Sequence, residues 1–169
     1  DYQIVQSKAA VAGGGFYEGI ARIMKSHNFQ ILVDVYGNVP YSQALKGGGN
    51  PTPSYDNGID IYKDIFRQLD TAIALIKAAV VTTNNANKDI AKNDIIFGGD
   101  KGKWVRFANT LKLRLLIHAY AVAGINKPAE MLVITNEGSG FLGSGENAQS
   151  QPGYVADRPN PFFNNYIST

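Results

Sequence analysis

The stretch IDIYKDIFRQLDTAIALIKAAV, residues 59–80, decides the fold. Its apolar side chains recur at steps of three and four residues, which is the spacing that places them on one face of an α-helix. This stripe consists of Tyr62, Ile65, Phe66, Leu69, Ala72, Ile73, Ile76 and Val80. Asp56 or Asn57 offers a cap for the first turn. Because this apolar stripe must be buried, the helix needs a partner to pack against.

Upstream, the same spacing predicts a helix over residues 16–35, with the apolar positions Phe16, Ile20, Ile23, Met24, Ile31 and Val35. The stretch VYGNVPYSQAL, residues 35–45, follows it. Gly37 can adopt the left-handed conformation that closes a helix, and Pro40 favours an extended residue before it. We expect Tyr36 and Tyr41 to lock this corner against the scaffold. An exposed aromatic platform for a ligand is the alternative.

The stretch KGGGNPTPSYDNG, residues 46–58, separates these two helices and has no periodic apolar pattern. Three consecutive glycines and two prolines predict a surface loop.

Downstream, Asp100 can cap a third long helix that Gly124 ends. Its main stripe is Trp104, Phe107, Ala108, Leu111 and Leu115, and a second set widens the apolar surface: Leu113, Leu116, Ile117 and Tyr120. This helix is therefore expected at the centre of the core. Its basic residues Lys103, Arg106, Lys112 and Arg114 do not share one face, so they predict a solvated edge and not a phosphate-tracking surface.

A short helix is predicted from Pro128 to Asn136, since proline favours a first turn and Gly138 can end it. Residues 138–169 are rich in Gly, Ser, Asn and Pro, and they predict an irregular, loop-rich segment. No closing helix with an apolar period is found in this segment. We therefore expect residues 1–169 to form a single, partial helical domain.

The composition is that of an ordinary globular domain. The chain has 169 residues, 44% hydrophobic residues and a net charge of +2, without a basic run that would predict nucleic-acid binding. It has no cysteine, which excludes disulfides and thiolate chemistry. The longest apolar stretches are interrupted by Lys77 and His118 and are too short for a bilayer of about 30 Å. A soluble piece is expected.

Motifs for catalysis, metals or cofactors are not found in the sequence. FGGDKGKW departs from a phosphate-binding loop at two positions, and the two histidines are not in a metal-ligand pattern. Asp56, Asp60 and Asp64 could be the paired carboxylates of a glycoside hydrolase, but their place at a helix start favours a role in offsetting the helix dipole. We expect no enzyme activity, no metal site and no cofactor.

The loops combine aromatic and amide side chains. Flat aromatic faces pack on the apolar faces of sugar rings and amides bond hydroxyls, so this mixture suits a glycan or peptide binder. The candidate ligand-binding residues are Asn50, Tyr55, Asn57 and Tyr154. Each tyrosine could instead be a packed anchor.

Three blocks carry a resemblance to a known family. They are LVDVYGNVPYSQAL (32–45), PSYDNGIDIYKDIFRQLDTAI (53–73) and DIIFGGDKGKWVRFANTLKLRL (94–115). In this order and spacing they resemble the RagB/SusD family of outer-membrane nutrient-binding lipoproteins. GFLGSGENA and NPFFNNY are similar to the family's downstream loops. Asn38 stands where the family often has aspartate, which is a near-isosteric change.

The resemblance implies an all-α scaffold of tetratricopeptide-like helix pairs with long irregular loops. It implies a non-catalytic surface receptor that captures oligosaccharides, or sometimes peptides, and delivers them to a SusC-like TonB-dependent transporter. It also implies a location on the extracellular face of the outer membrane, through a lipid anchor that this chain does not contain. The alternatives are a carbohydrate-active enzyme, such as a glycoside hydrolase, and a helical-repeat adaptor that binds another protein.

Overall fold

A computed structural model of the chain describes residues 2–82, 85–150, 153–155, 157 and 159–160. The described residues form six α-helices, one 3-10 turn at Gly47–Gly49 and a two-stranded sheet. The helices are α1 (Tyr2–Ala12), α2 (Gly15–Tyr36), α3 (Gly58–Ala78), α4 (Ile90–Asn93), α5 (Lys101–His118) and α6 (Lys127–Glu137). The strands are β1 (Val39–Pro40) and β2 (Tyr55–Asp56), which pair antiparallel. The predicted all-α class is confirmed.

The α2–α3 pair is the main packing unit, and α5 packs against α3 and also contacts α2. Helices α2 and α3 approach each other closely at Gly19, where an added Cβ would lie 2.6 Å from Cγ1 of Ile76. The core between the three helices contains Phe16, Ile23, Phe66, Leu69, Trp104 and Leu115, all of which are fully buried. Burial of these large apolar groups is the main stabilising contribution.

Helix α3 follows its prediction closely. The side chain of Asn57 caps it by accepting a 2.9 Å hydrogen bond from the backbone N–H of Ile59. Seven of the eight predicted stripe residues are buried, and Val80 is the exception because the helix ends at Ala78. On α2, the predicted core positions Ile31 and Val35 are also exposed. The residues that this part of the helix buries are Ser26, Phe29, Gln30 and Val33, so Ile31 and Val35 lie outside its buried face.

Helix α5 begins as predicted, with the Asp100 carboxylate accepting a hydrogen bond from the N–H of Lys103. It ends at His118 and not at Gly124. Beyond it, Tyr120 N–H bonds to the carbonyl of Ile117, and Ala119 and Ile125 turn back to the core. The predicted coverage of Ile117 and Tyr120 was therefore wrong, since both are exposed.

Lys112 overturns the prediction of a fully solvated basic edge. Its side chain is 0% exposed and forms an ion pair with Asp70 of α3. A cation can occupy the interior when a carboxylate compensates it.

Two helices were not predicted. Helix α1 has no buried residue and packs along α2, while α4 is a single turn. The predicted short helix is present as α6. Residues 138–150 lack regular structure, as predicted, whereas residues 161–169 and most of NPFFNNY lie outside the described residues.

Candidate functional site

The loop between β1 and β2 is clamped at its base by Asp56. The Asp56 carboxylate accepts hydrogen bonds from the Ser42 hydroxyl at 2.7 Å and from the N–H groups of Ser42 and Tyr41 at 2.9 Å. These bonds, led by the one from the Ser42 side chain, lower the pKa of Asp56. The ladder places Val39 opposite Asp56 and Pro40 opposite Tyr55. The loop therefore leaves and rejoins the scaffold at a fixed point.

Tyr41 locks the corner as predicted. Its ring packs edge-on against Phe29, with 4.7 Å between the ring centroids, and its hydroxyl donates a hydrogen bond to Asp64. Burial, together with Asp64, raises the pKa of Tyr41, so the phenol stays protonated and acts as a donor. Tyr36 behaves differently from the prediction. It is 72% exposed, because this last residue of α2 does not belong to the face that the helix buries.

An open depression of about 580 Å³, here called the aromatic groove, lies between the end of α2 and the loop. Its walls include Leu32 and Tyr36 from α2, Val39 from β1, Leu45 from the loop and Tyr55 from β2. All the described residues that line it have uncharged side chains. Such a surface suits an uncharged, partly apolar ligand.

A smaller depression of about 240 Å³, here called the polar pocket, adjoins the aromatic groove and shares Phe29, Ala44 and Leu45 with it. Its polar groups include Lys25, Asp64 and Gln68. Gln68 donates a 3.2 Å hydrogen bond to Asp64. The pocket thus has donors and acceptors beside the uncharged groove.

Lys25 of α2 lines the polar pocket and connects α2 to α1. Its ammonium donates hydrogen bonds of 2.9 Å to Gln3 and 2.6 Å to Gln6. Burial lowers the pKa of Lys25, and the nearby Arg22 lowers it further. The unpredicted helix α1 therefore completes one wall of this pocket.

Leu45 stands between the two depressions with a positive φ of 62°. A non-glycine residue pays a conformational cost in this left-handed region, and such residues are concentrated at functional sites. The side chain is half exposed, so the backbone geometry presents an apolar ridge to solvent.

The structure brings two of the four candidate ligand residues into this loop. Tyr55 lines the aromatic groove and is 73% exposed. Asn50 donates hydrogen bonds to Gln43, at 3.2 Å to its backbone carbonyl and 3.3 Å to its side-chain oxygen. Gln43 immediately precedes the shared residue Ala44. Asn50 therefore shapes the loop beside the groove.

The other two candidates lie elsewhere. Asn57 caps α3 and lines a depression of about 380 Å³ between α2, α3 and the end of α5. Tyr154 is 70% exposed and does not line the aromatic groove. Sequence reasoning missed Leu32 and Leu45 as groove residues, and it assigned Tyr36 to packing. The sequence signals for these residues are weak. Leu32 and Tyr36 lie near the end of a helix, and Leu45 lies close to a run of glycines.

The depression at Asn57 is lined by polar groups that satisfy one another. The Asp34 carboxylate accepts hydrogen bonds from the Tyr62 hydroxyl and, at 2.7 Å, from Nδ1 of His118. Burial, together with Asp34, raises the pKa of Tyr62. Asn38 accepts a 2.9 Å hydrogen bond from the N–H of Gly58. This arrangement ties α2, α3 and α5 together.

The acidic residues at the start of α3 have structural partners. Asp64 accepts hydrogen bonds from Tyr41, Arg67 and Gln68, and Asp60 pairs with Lys63 at the surface. Within the described part of the chain, no cluster of three or more His, Asp or Glu side chains could hold a metal ion.

These features define a class: an all-α scaffold whose clamped loop carries an aromatic groove and a polar pocket. The particular family follows from comparison. Residues 2–165 match the SusD-like family described as starch-binding and associating with the outer membrane, and the chain belongs to that family. The resemblance seen in the sequence is thereby confirmed. No curated protein matches the chain.

Solved structures agree with this assignment. A SusD homolog from Bacteroides uniformis is 27% identical, with a TM-score of 0.78 over 99% of this chain and 33% of its own. A SusD/RagB family protein from Bacteroides thetaiotaomicron is 28% identical, with a TM-score of 0.68 over 91% of this chain and 30% of its own. The chain therefore spans about a third of the length of these relatives.

Among its described helices, none is both long and apolar enough to cross a membrane.

Proposed function

We propose that this chain is the helical part of a non-catalytic, outer-membrane-associated receptor that binds oligosaccharides of the starch type. The observation that carries the proposal is the family match over residues 2–165, with its description as starch-binding and associating with the outer membrane. The clamped loop with its neutral groove and polar pocket supports it, because both chemistries are needed to hold a sugar.

The proposal extends to the setting of the whole protein. A lipid anchor holds the receptor at the extracellular face, and the receptor hands its ligand to a SusC-like TonB-dependent transporter. Co-purification of such a transporter from the native membrane is the expected result. Isolation of the intact receptor without any transporter would count against delivery.

Binding without hydrolysis is the central test. We expect maltoheptaose, a linear α-1,4-linked glucose oligosaccharide, to bind in isothermal titration calorimetry while a reducing-end assay detects no release. The hydrogen bonds of Asp64 support the absence of catalysis. Its three partners, Tyr41, Arg67 and Gln68, all belong to the scaffold.

Two results would overturn the proposal. Release of reducing ends that disappears in Asp60→Asn or Asp64→Asn would make the chain a glycoside hydrolase. Failure to bind any member of a panel of neutral glycans would favour a protein-binding adaptor.

A further inference from the structure

We propose that the aromatic groove is a sugar subsite, in which Tyr36 and Tyr55 pack against a pyranose ring of a neutral oligosaccharide whose hydroxyls extend into the polar pocket. This inference rests on the proposed function and locates the proposed sugar binding in the aromatic groove.

Exposure of the two tyrosines is the first argument. Tyr36 and Tyr55 are 72% and 73% exposed, although both line a depression with Leu32, Val39 and Leu45. Tyrosine has a large apolar ring and a polar tip, a combination that suits contacts which are apolar on one side and wet on the other. The volume of about 580 Å³ lies within the usual range for small-ligand sites.

Charge is the second argument. The described lining of the groove is uncharged, so a neutral ligand enters it without leaving an unpaired charge. Across Leu45 lie the Lys25 ammonium, the Asp64 carboxylate and the Gln68 amide. Sugar hydroxyls both donate and accept hydrogen bonds, and these groups supply both kinds of partner. An acidic or basic peptide would match only the polar pocket.

Pre-organisation is the third argument. Tyr55 is held opposite Pro40 in the β-ladder, and the N–H of Gly37 bonds to the carbonyl of Val33 at 2.8 Å and so fixes the helix end that carries Tyr36. Because both tyrosines belong to ordered elements, ligand binding does not carry the entropic cost of ordering their backbone.

Alanine substitution of the two tyrosines tests the inference. We expect Tyr36→Ala and Tyr55→Ala each to weaken maltoheptaose binding about 10-fold, and the double variant about 100-fold, in isothermal titration calorimetry. Tyr55→Phe keeps the ring and should bind within about threefold of the wild type. Tyr120→Ala is the matched control, since Tyr120 is also an exposed tyrosine but lies after α5, away from the groove. Circular dichroism melting checks that every variant is folded.

The outcomes separate the two proposals. If the wild type binds maltoheptaose and the folded double variant binds equally well, the groove assignment is wrong and the receptor function stands. If Tyr120→Ala weakens binding as much as Tyr55→Ala, the groove assignment is also wrong. If the wild type binds no neutral glycan, both proposals fall.

Discussion

The indole Nε1 of Trp104 donates a 2.7 Å hydrogen bond to the Asp94 carboxylate, and this bond joins the centre of the core to the turn that precedes α5. The same carboxylate accepts hydrogen bonds from three backbone N–H groups, those of Ile96, Phe97 and Gly99. Asp94 is thus a buried acceptor on which a whole turn depends.

Asp94→Ala should lower the free energy of unfolding by about 2 to 4 kcal/mol, because it leaves the buried indole N–H and the turn without their acceptor. Urea unfolding followed by circular dichroism measures the change. Asp60→Ala is the control, since Asp60 has only an exposed pair with Lys63 and should cost less than about 1 kcal/mol. Equal losses in the two variants would contradict the assigned role.

Gly19→Ala should destabilise the α2–α3 pair. The added methyl would lie 2.6 Å from Ile76 Cγ1 and 3.0 Å from the carbonyl oxygen of Ala72, and overpacking of this kind costs about 1 to 3 kcal/mol. Gly48→Ala is a control in open space, with no atom within 4 Å of its new methyl. Thermal unfolding should place the Tm of Gly19→Ala below those of the wild type and the control. A Tm at or above the wild-type value would show that the helices separate without cost.

The ion pair between the buried Lys112 and the partly exposed Asp70 should respond differently to the loss of each partner. Lys112→Met keeps the apolar stem and removes the buried charge, so its unfolding free energy should stay within about 1 kcal/mol of the wild type. Asp70→Asn leaves the buried ammonium without its carboxylate and should cost about 2 to 3 kcal/mol. Denaturant titrations of both variants decide the matter. A larger loss for Lys112→Met than for Asp70→Asn would reverse the argument.

Glu137 should make stability depend on pH in the acid range. Burial alone would raise its pKa, but hydrogen bonds from Lys77, Asn109 and Ser139 lower the pKa of Glu137 from 4.5 to about 2. The stabilisation is fully present above pH 4.5 and is lost as the pH falls toward 2. Glu137→Gln should therefore be less stable than the wild type at pH 7, and the difference should shrink toward pH 3.

Glu130→Gln should show a pH dependence of stability opposite to that of Glu137→Gln, because burial raises the pKa of Glu130. An ionised carboxylate is disfavoured there, so this variant should gain stability relative to the wild type as the pH rises from 4 to 7. A Glu137→Gln deficit that is the same at pH 3 and pH 7 would disprove the proposed linkage.

The helical scaffold could be predicted because its signal is local. The stripe of α3 repeats at the helical period, and Asn57 and Asp100 cap their helices as their positions indicated. Helix α1 escaped prediction because it buries no residue and therefore has no clear stripe. The burial of Lys112 could not be predicted from its own helix, since it depends on Asp70, which lies 42 residues earlier.

The candidate site was less predictable. Tyr55 could be found from the composition of its loop, but the exposure of Tyr36 depends on which face of α2 is buried in its last turn. The contribution of Leu45 depends on a positive φ that leucine does not signal. Asn57 and Tyr154 remain predicted ligand residues, the first of which already has a capping role.

The clamp at Asp56 has a consequence for the loop that it closes. Since Tyr41, Ser42 and the β-ladder close the excursion at its base, residues 43–54 can be exchanged for a segment of different length while α2 and α3 keep their positions. Doubling the length of such a segment costs only about 0.6 kcal/mol in closure entropy. The part of the aromatic groove that Ala44 and Leu45 form can therefore change shape while the helices beneath it keep their arrangement.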